Sequence, residues 1–102
     1  MRYVIRDKWR ISKDYKDASI AILRDNLAPL RAKVGINQEE LASIIGLSRQ
    51  SYYAIENKKK PMTWSTFLAL IFFFGICSSS AEMLKELRIY PIDLVMRFND
   101  QM

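Results

Sequence analysis

The sequence predicts an all-α domain of five helices, preceded by an arm and followed by one short further helix. Three observations predict this class. Apolar residues recur at three- and four-residue spacing through most of the chain. Ser, Thr, Asn or Asp stands just ahead of each of the five runs, where its side chain can cap a helix. Glycines stand where several of the runs stop. A length of 102 residues argues for one domain, with a core small enough that a partner subunit would add to its stability.

Residues 1–12 alternate loosely, with Tyr3, Ile5, Trp9 and Ile11 apolar and Arg and Lys between them. The pattern fits a short strand or an arm without fixed structure, and it is too short to decide. Residues 18–34 read as the first helix, with Ile20, Leu23, Leu27, Leu30 and Val34 on one face, Asp17 as cap and Gly35 as stop. Pro29 removes a backbone donor inside this run, which predicts a kink or a split near Asn26–Ala28. Asn37 caps the second helix, with Glu40 three residues on as a capping box, and Leu41, Ala42 and Ile45 face inward until Gly46 breaks it. Ser48 caps the third, with Tyr52 and Ile55 inward, and it ends at Asn57 before the run Lys58-Lys59-Lys60-Pro61. Thr63 caps the fourth, which runs to Phe74 and is stopped by Gly75. Ser79 with Glu82 forms a second capping box for the fifth, with Leu84 and Leu87 inward. Pro91 suits the first turn of the last short helix, which carries Ile92, Val95, Met96 and Phe98.

Composition narrows the function. Residues 1–16 hold six basic residues against two acidic ones, a net of +4, whereas residues 17–62 carry +2 and residues 63–102 carry −1. A basic front suits a polyanionic partner, and it equally suits a merely solvated surface. The single cysteine, Cys77, permits no disulfide within the chain, fits a reducing cytoplasm, and reads as a small buried hydrophobe. The first ten residues lack the apolar stretch of a signal peptide, and the longest apolar run, Phe67 to Cys77, falls short of the about 20 residues that span a membrane. Without histidine the commonest general base and metal ligand is missing. One thiol excludes a multi-thiolate zinc site, and there is no Gly-rich phosphate loop. The expectation is a binding protein without cofactor or metal, and not an enzyme.

The segment from Gln38 to Asn57 explains itself as two short helices crossing steeply at a tight turn. Ala42 is small where the helices cross, Gly46 sits at the turn, and Leu47, Tyr52 and Ile55 pin the second helix of the pair against the first. That layout is the helix-turn-helix unit. Leu30-Arg31, Gly35, the run Asn37 to Ala42, the run Gly46 to Ser51, Ile55-Glu56-Asn57 and Pro61 resemble the phage-repressor (Cro/Xre-type) helix-turn-helix family over roughly residues 18–76. The resemblance implies a cytoplasmic transcription regulator, a repressor that binds double-stranded DNA and is often a dimer. With the charge distribution, this divides the chain into a basic N-terminal arm (1–16), the helix-turn-helix DNA-binding domain (17–76) and a C-terminal helical extension (77–102), for which dimerisation is one open role.

Carried over residue by residue, the resemblance puts Arg49, Gln50, Ser51 and Tyr53 against base edges in the major groove. Arg suits guanine and Gln suits adenine. Gln38, Asn57, Lys58, Lys59 and Lys60 fall where relatives hold the DNA backbone. Arg31 and Glu56 match an internal ion pair of the family, a structural role.

Three departures qualify the match. Lys58 replaces a glycine common after Glu-Asn, so that Asn57 is expected to take the left-handed cap. One extra residue separates Pro61 from Trp64. The fourth helix turns Trp64, Phe67, Ile71 and Phe74 inward, yet Ala69, Phe72 and Ile76 fall on the side that is usually solvated. An apolar outer face must be covered. The coverings open to it are residues 90–102, the N-terminal arm, or the interface of a homodimer. A different class of function, an antitoxin or protein-interaction module that binds a toxin or regulator, would use this same face together with the C-terminal tail.

Overall fold

The computed structural model describes residues 5, 6 and 9–90. Their elements are six helices and no strand: α1 (Lys13–Asp25), α2 (Leu27–Val34), α3 (Gln38–Ile45), α4 (Arg49–Glu56), α5 (Trp64–Ile76) and α6 (Ser78–Glu86). The all-α class is the one the sequence predicts. The sixth helix arises because the run expected as one helix over 18–34 is two. The break is at Asn26, whose backbone leaves the helical region (φ −111°, ψ 6°) and whose side chain donates to the Ile22 carbonyl at 2.8 Å. Pro29 then lies in the first turn of α2, where a backbone N–H has no partner within the helix to lose. The short helix expected from Pro91 lies outside the described residues, as do residues 1–4, 7 and 8 of the basic arm, whose last four residues, 13–16, are the first turn of α1.

The start of α1 corrects the expected cap. Ser12, not Asp17, caps it, accepting from the Tyr15 N–H at 3.1 Å. Asp17 sits one turn inside, paired with Lys13 at 2.7 Å on the exposed side. Tertiary contacts extend the helix upstream: the Tyr15 hydroxyl donates to the Tyr90 carbonyl at 2.6 Å, and the Lys16 ammonium lies 5.6 Å from the centre of the Trp64 ring.

The core runs through all six helices and the segments between and after them. Leu23, Leu27, Leu30, Leu41, Tyr52, Phe67, Leu70, Phe74 and Leu84 are fully buried, and Met62 and Ile89 seal it from the connecting segments. α5 is its axis, in contact with α1, α3 and α6, while α2 also rests on α6. Gly75 does not stop α5, which continues to Ile76. Its role is close approach, since a Cβ there would stand 2.5 Å from the Tyr90 hydroxyl. The corner into α6 is also unlike the expected capping box. Cys77, half-buried, ends α5 and begins α6 with no side-chain cap. Ser79 is exposed, and the buried neighbour Ser80 donates instead to the Phe74 carbonyl at 2.8 Å. That bond satisfies a carbonyl that α5 leaves open at its end.

Helices α2, α3 and α4 end in one shared way. After each, a residue takes the left-handed conformation, and the next N–H reaches back to the carbonyl five residues earlier: Ile36 to Arg31 at 3.1 Å, Leu47 to Ala42 at 2.9 Å, Lys59 to Ala54 at 2.8 Å. Gly35 (φ 78°) and Gly46 (φ 81°) fill that position after α2 and α3. After α4 it is Lys58 (φ 63°), which corrects the expectation for Asn57. Asn57 keeps φ −91°, because the back-reaching bond requires the reversal one residue later, and its side chain donates to the Tyr53 carbonyl. A side chain at this backbone angle costs about 1 kcal/mol. The Lys58–Asp25 ion pair at 3.0 Å is exposed at both ends and offsets little of it. Lys58→Gly is therefore expected to raise stability by about 0.5–1 kcal/mol, read as a higher urea midpoint at unchanged m-value.

Candidate nucleic-acid interface

Each of α3 and α4 starts on a side-chain cap. Asn37 accepts from the Glu40 N–H at 2.8 Å while the Glu40 carboxylate accepts from the Asn37 N–H at 3.0 Å. Ser48 accepts from the Ser51 N–H at 3.1 Å. Ala42 is fully buried between the two helices, and Gly46 and Leu47 make the turn. α4 buries Tyr52 and Ile55, and this fixes which of its side chains face outward.

That outward face carries Arg49, Gln50 and Tyr53, which together line an open concavity of about 330 Å³. Arg49 and Gln50 are exposed, and Tyr53 is 49 % exposed. Ser51 stands apart from them: it is half-buried, and two residues beyond Arg49 it is turned about 200° around the helix. Lys58, Lys59 and Lys60 are exposed just past the C-terminus of α4. Lys58 is paired with Asp25, and the Lys59 ammonium lies 5.9 Å from the Tyr53 ring centre.

Behind this face, one carboxylate collects four donors. Glu56 accepts from Arg31 Nε at 2.9 Å, from the second Arg31 nitrogen at 3.2 Å, from the Tyr52 hydroxyl at 3.2 Å and from the Gln38 side-chain amide. The side chains of Arg31 and Glu56 are largely buried, at 19 % and 9 % exposure. Arg31 comes from α2, Gln38 from α3, and Tyr52 and Glu56 from α4, so the cluster ties α4 to both of its supports. Burial, and then the charge of Glu56, pushes the Tyr52 hydroxyl well above its ordinary value, so it remains a donor at neutral pH. Sequence reasoning paired Arg31 with Glu56 and missed Tyr52. The available signal was its place one turn before Glu56, on the same side of one helix. The Gln38 amide is spent inside the protein on Glu56, at the first position of α3.

Residues 29–69 match the helix-turn-helix family model. This part of the chain is a helix-turn-helix. Comparison with the curated proteins and with the solved structures returned no match. The matched stretch runs from Pro29 through α3 and α4 into the first half of α5, and so includes both the Glu56 cluster and the exposed face of α4. Helix-turn-helix proteins that bind DNA lay the second helix of the unit, the one that α4 corresponds to in order, in the major groove. Among the described residues no group of acids and cysteine is placed to hold a metal ion, and no helix is long and apolar enough to cross a membrane.

Removing Glu56 would leave Arg31 as a largely buried charge without its partner. Glu56→Ala is expected to cost about 3–5 kcal/mol, with Glu56→Gln costing less because it still accepts hydrogen bonds. Urea titration of the two variants checks the order and the size.

Proposed function

We propose that the chain is a sequence-specific regulator of transcription, a cytoplasmic repressor of the phage-repressor (Cro/Xre) kind that reads double-stranded DNA with α4 and works as a homodimer. The observation that carries the reading is the exposed trio Arg49, Gln50 and Tyr53 on a helix whose rotation is locked from behind by Glu56. Arg49 offers paired donors to guanine O6 and N7, and Gln50 a donor and an acceptor to adenine. Ser51 lies at the margin of this surface and contributes least. Asn57 and Lys58–Lys60 hold phosphates beside it, where exposed ammonium groups at the end of the recognition helix neutralise backbone charge. Gln38 acts mainly by bracing Glu56.

The dimer is favoured by α5. Phe72 and Ile76 are 68 % and 65 % exposed on one side of a helix that contains no charged residue, with Ala69 half-buried beside them. A two-fold contact there would pair apolar with apolar and place two recognition helices on successive half-sites. The same exposed residues favour a second reading, in which a toxin or regulator docks on this side of α5 and on the C-terminal extension. The basic arm then adds electrostatic attraction to DNA.

Selection from a random duplex pool at moderate salt is expected to enrich one motif. Arg49→Ala is expected to lose about 1–3 kcal/mol and to relax one base position, while Lys60→Ala weakens binding to all sequences alike and lowers the salt dependence by about one counterion. A pool that enriches nothing defeats the reading. Light scattering of the free chain is expected to give twice the monomer mass, and Phe72→Glu to return it to one. A wild-type monomer at micromolar concentration removes the dimer and leaves the docking reading.

A further inference from the structure

The concavity on α4 has a composition that points to a particular occupant. Arg49 and Gln50 answer the polar marks on base edges, and Tyr53 presents what neither can, a broad apolar surface. The fold does not require Tyr53 at the surface: its neighbour Tyr52 is fully buried and fills the core, whereas half of Tyr53 stays in water on the face turned outward. The Lys59 ammonium lies 5.9 Å from the ring centre, a weak contact between two exposed side chains that favours the observed ring position. In the major groove the four bases display donors and acceptors, and thymine alone adds an apolar group, its 5-methyl.

We propose that the concavity lined by Arg49, Gln50 and Tyr53 is a thymine-methyl site, with the Tyr53 ring as its apolar wall. The inference rests on the DNA-reading function above and names what that surface recognises. The spacing of the two residues also bears on where the thymine is expected. Arg49 and Tyr53 are separated by about 6 Å along the helix axis, less than two base-pair steps of about 3.4 Å. The thymine therefore falls within two base pairs of the position that Arg49 reads. Specificity at that position comes from burying one methyl group and needs no hydrogen bond from the Tyr53 hydroxyl.

The test uses the full chain and the duplex it enriches. Each thymine of the motif is replaced in turn by deoxyuridine, which deletes only the methyl, and affinity is measured for the wild type, Tyr53→Phe and Tyr53→Ser. One thymine per recognition helix, within two base pairs of the position relaxed by Arg49→Ala, is expected to lose about fourfold on demethylation, the worth of one buried methyl group. The loss is expected to persist in Tyr53→Phe and to vanish in Tyr53→Ser. If the wild type tolerates deoxyuridine at every thymine with less than about twofold loss, or if Tyr53→Ser keeps the wild-type loss, the methyl site is overturned while DNA reading stands. A pool that enriches no motif overturns both.

Discussion

The carboxylate of Glu56 is the constraint around which the helix-turn-helix half of this protein is arranged. It sits at the last position of α4, largely buried, and is held by a guanidinium from α2, an amide from α3 and a phenol from its own helix. A buried charge of this kind tolerates little displacement, because each donor it loses leaves a desolvated polar group behind. Three short helices, none able to persist alone, are thereby fixed in mutual rotation. The consequence for function is indirect and large. The same lock that points Glu56 inward points Arg49, Gln50 and Tyr53 outward.

The corners of the chain set the path that makes this cluster possible. Three successive helices turn through a left-handed residue with the same back-reaching hydrogen bond. Two of those residues are glycine. The third is Lys58, where a side chain is kept at a backbone angle that glycine would occupy with less strain. Its ammonium reaches across to Asp25 at the end of α1, an exposed pair that offsets little of the strain. The corner between α5 and α6 works differently, with the Ser80 hydroxyl closing the open end of α5 and Gly75 making room for Tyr90.

The two surfaces of the molecule have opposite chemistry. Around α4 the exposed groups include an arginine, a glutamine, an aromatic ring and three lysines, a polar surface of net positive charge. On α5 the exposed apolar groups are Leu68, Phe72 and Ile76, at one-turn intervals with no charge among them. Exposed aromatic and branched side chains in a row are costly in water, which is why that side of α5 suits a protein surface.

Most of the helix pattern was legible in the sequence because caps and glycines act locally. Asn37 with Glu40, Ser48, Thr63, Gly35 and Gly46 do their work within a few residues of themselves, and each stands where its sequence context puts it. The exposure of Arg49 and Gln50 and the burial of Tyr52 and Ile55 follow from helical periodicity in the same way. The structure decided differently wherever a distant residue intervened. Ser12 rather than Asp17 begins α1, whose first turns are held by Tyr90 and Trp64. Gly75 lies inside α5, since its lack of a side chain serves a contact with a residue fifteen positions on. Two further differences are local and are decided by hydrogen-bond geometry: Ser80 rather than Ser79 bonds the Phe74 carbonyl six residues back, and Lys58 rather than Asn57 reverses the chain so that the Lys59 N–H reaches Ala54. Local stereochemistry thus determined which residues form helices and which faces they bury. Long-range packing decided the two ends that local signals misplaced, the start of α1 and the end of α5, and brought Arg31, Gln38 and Tyr52 onto one carboxylate.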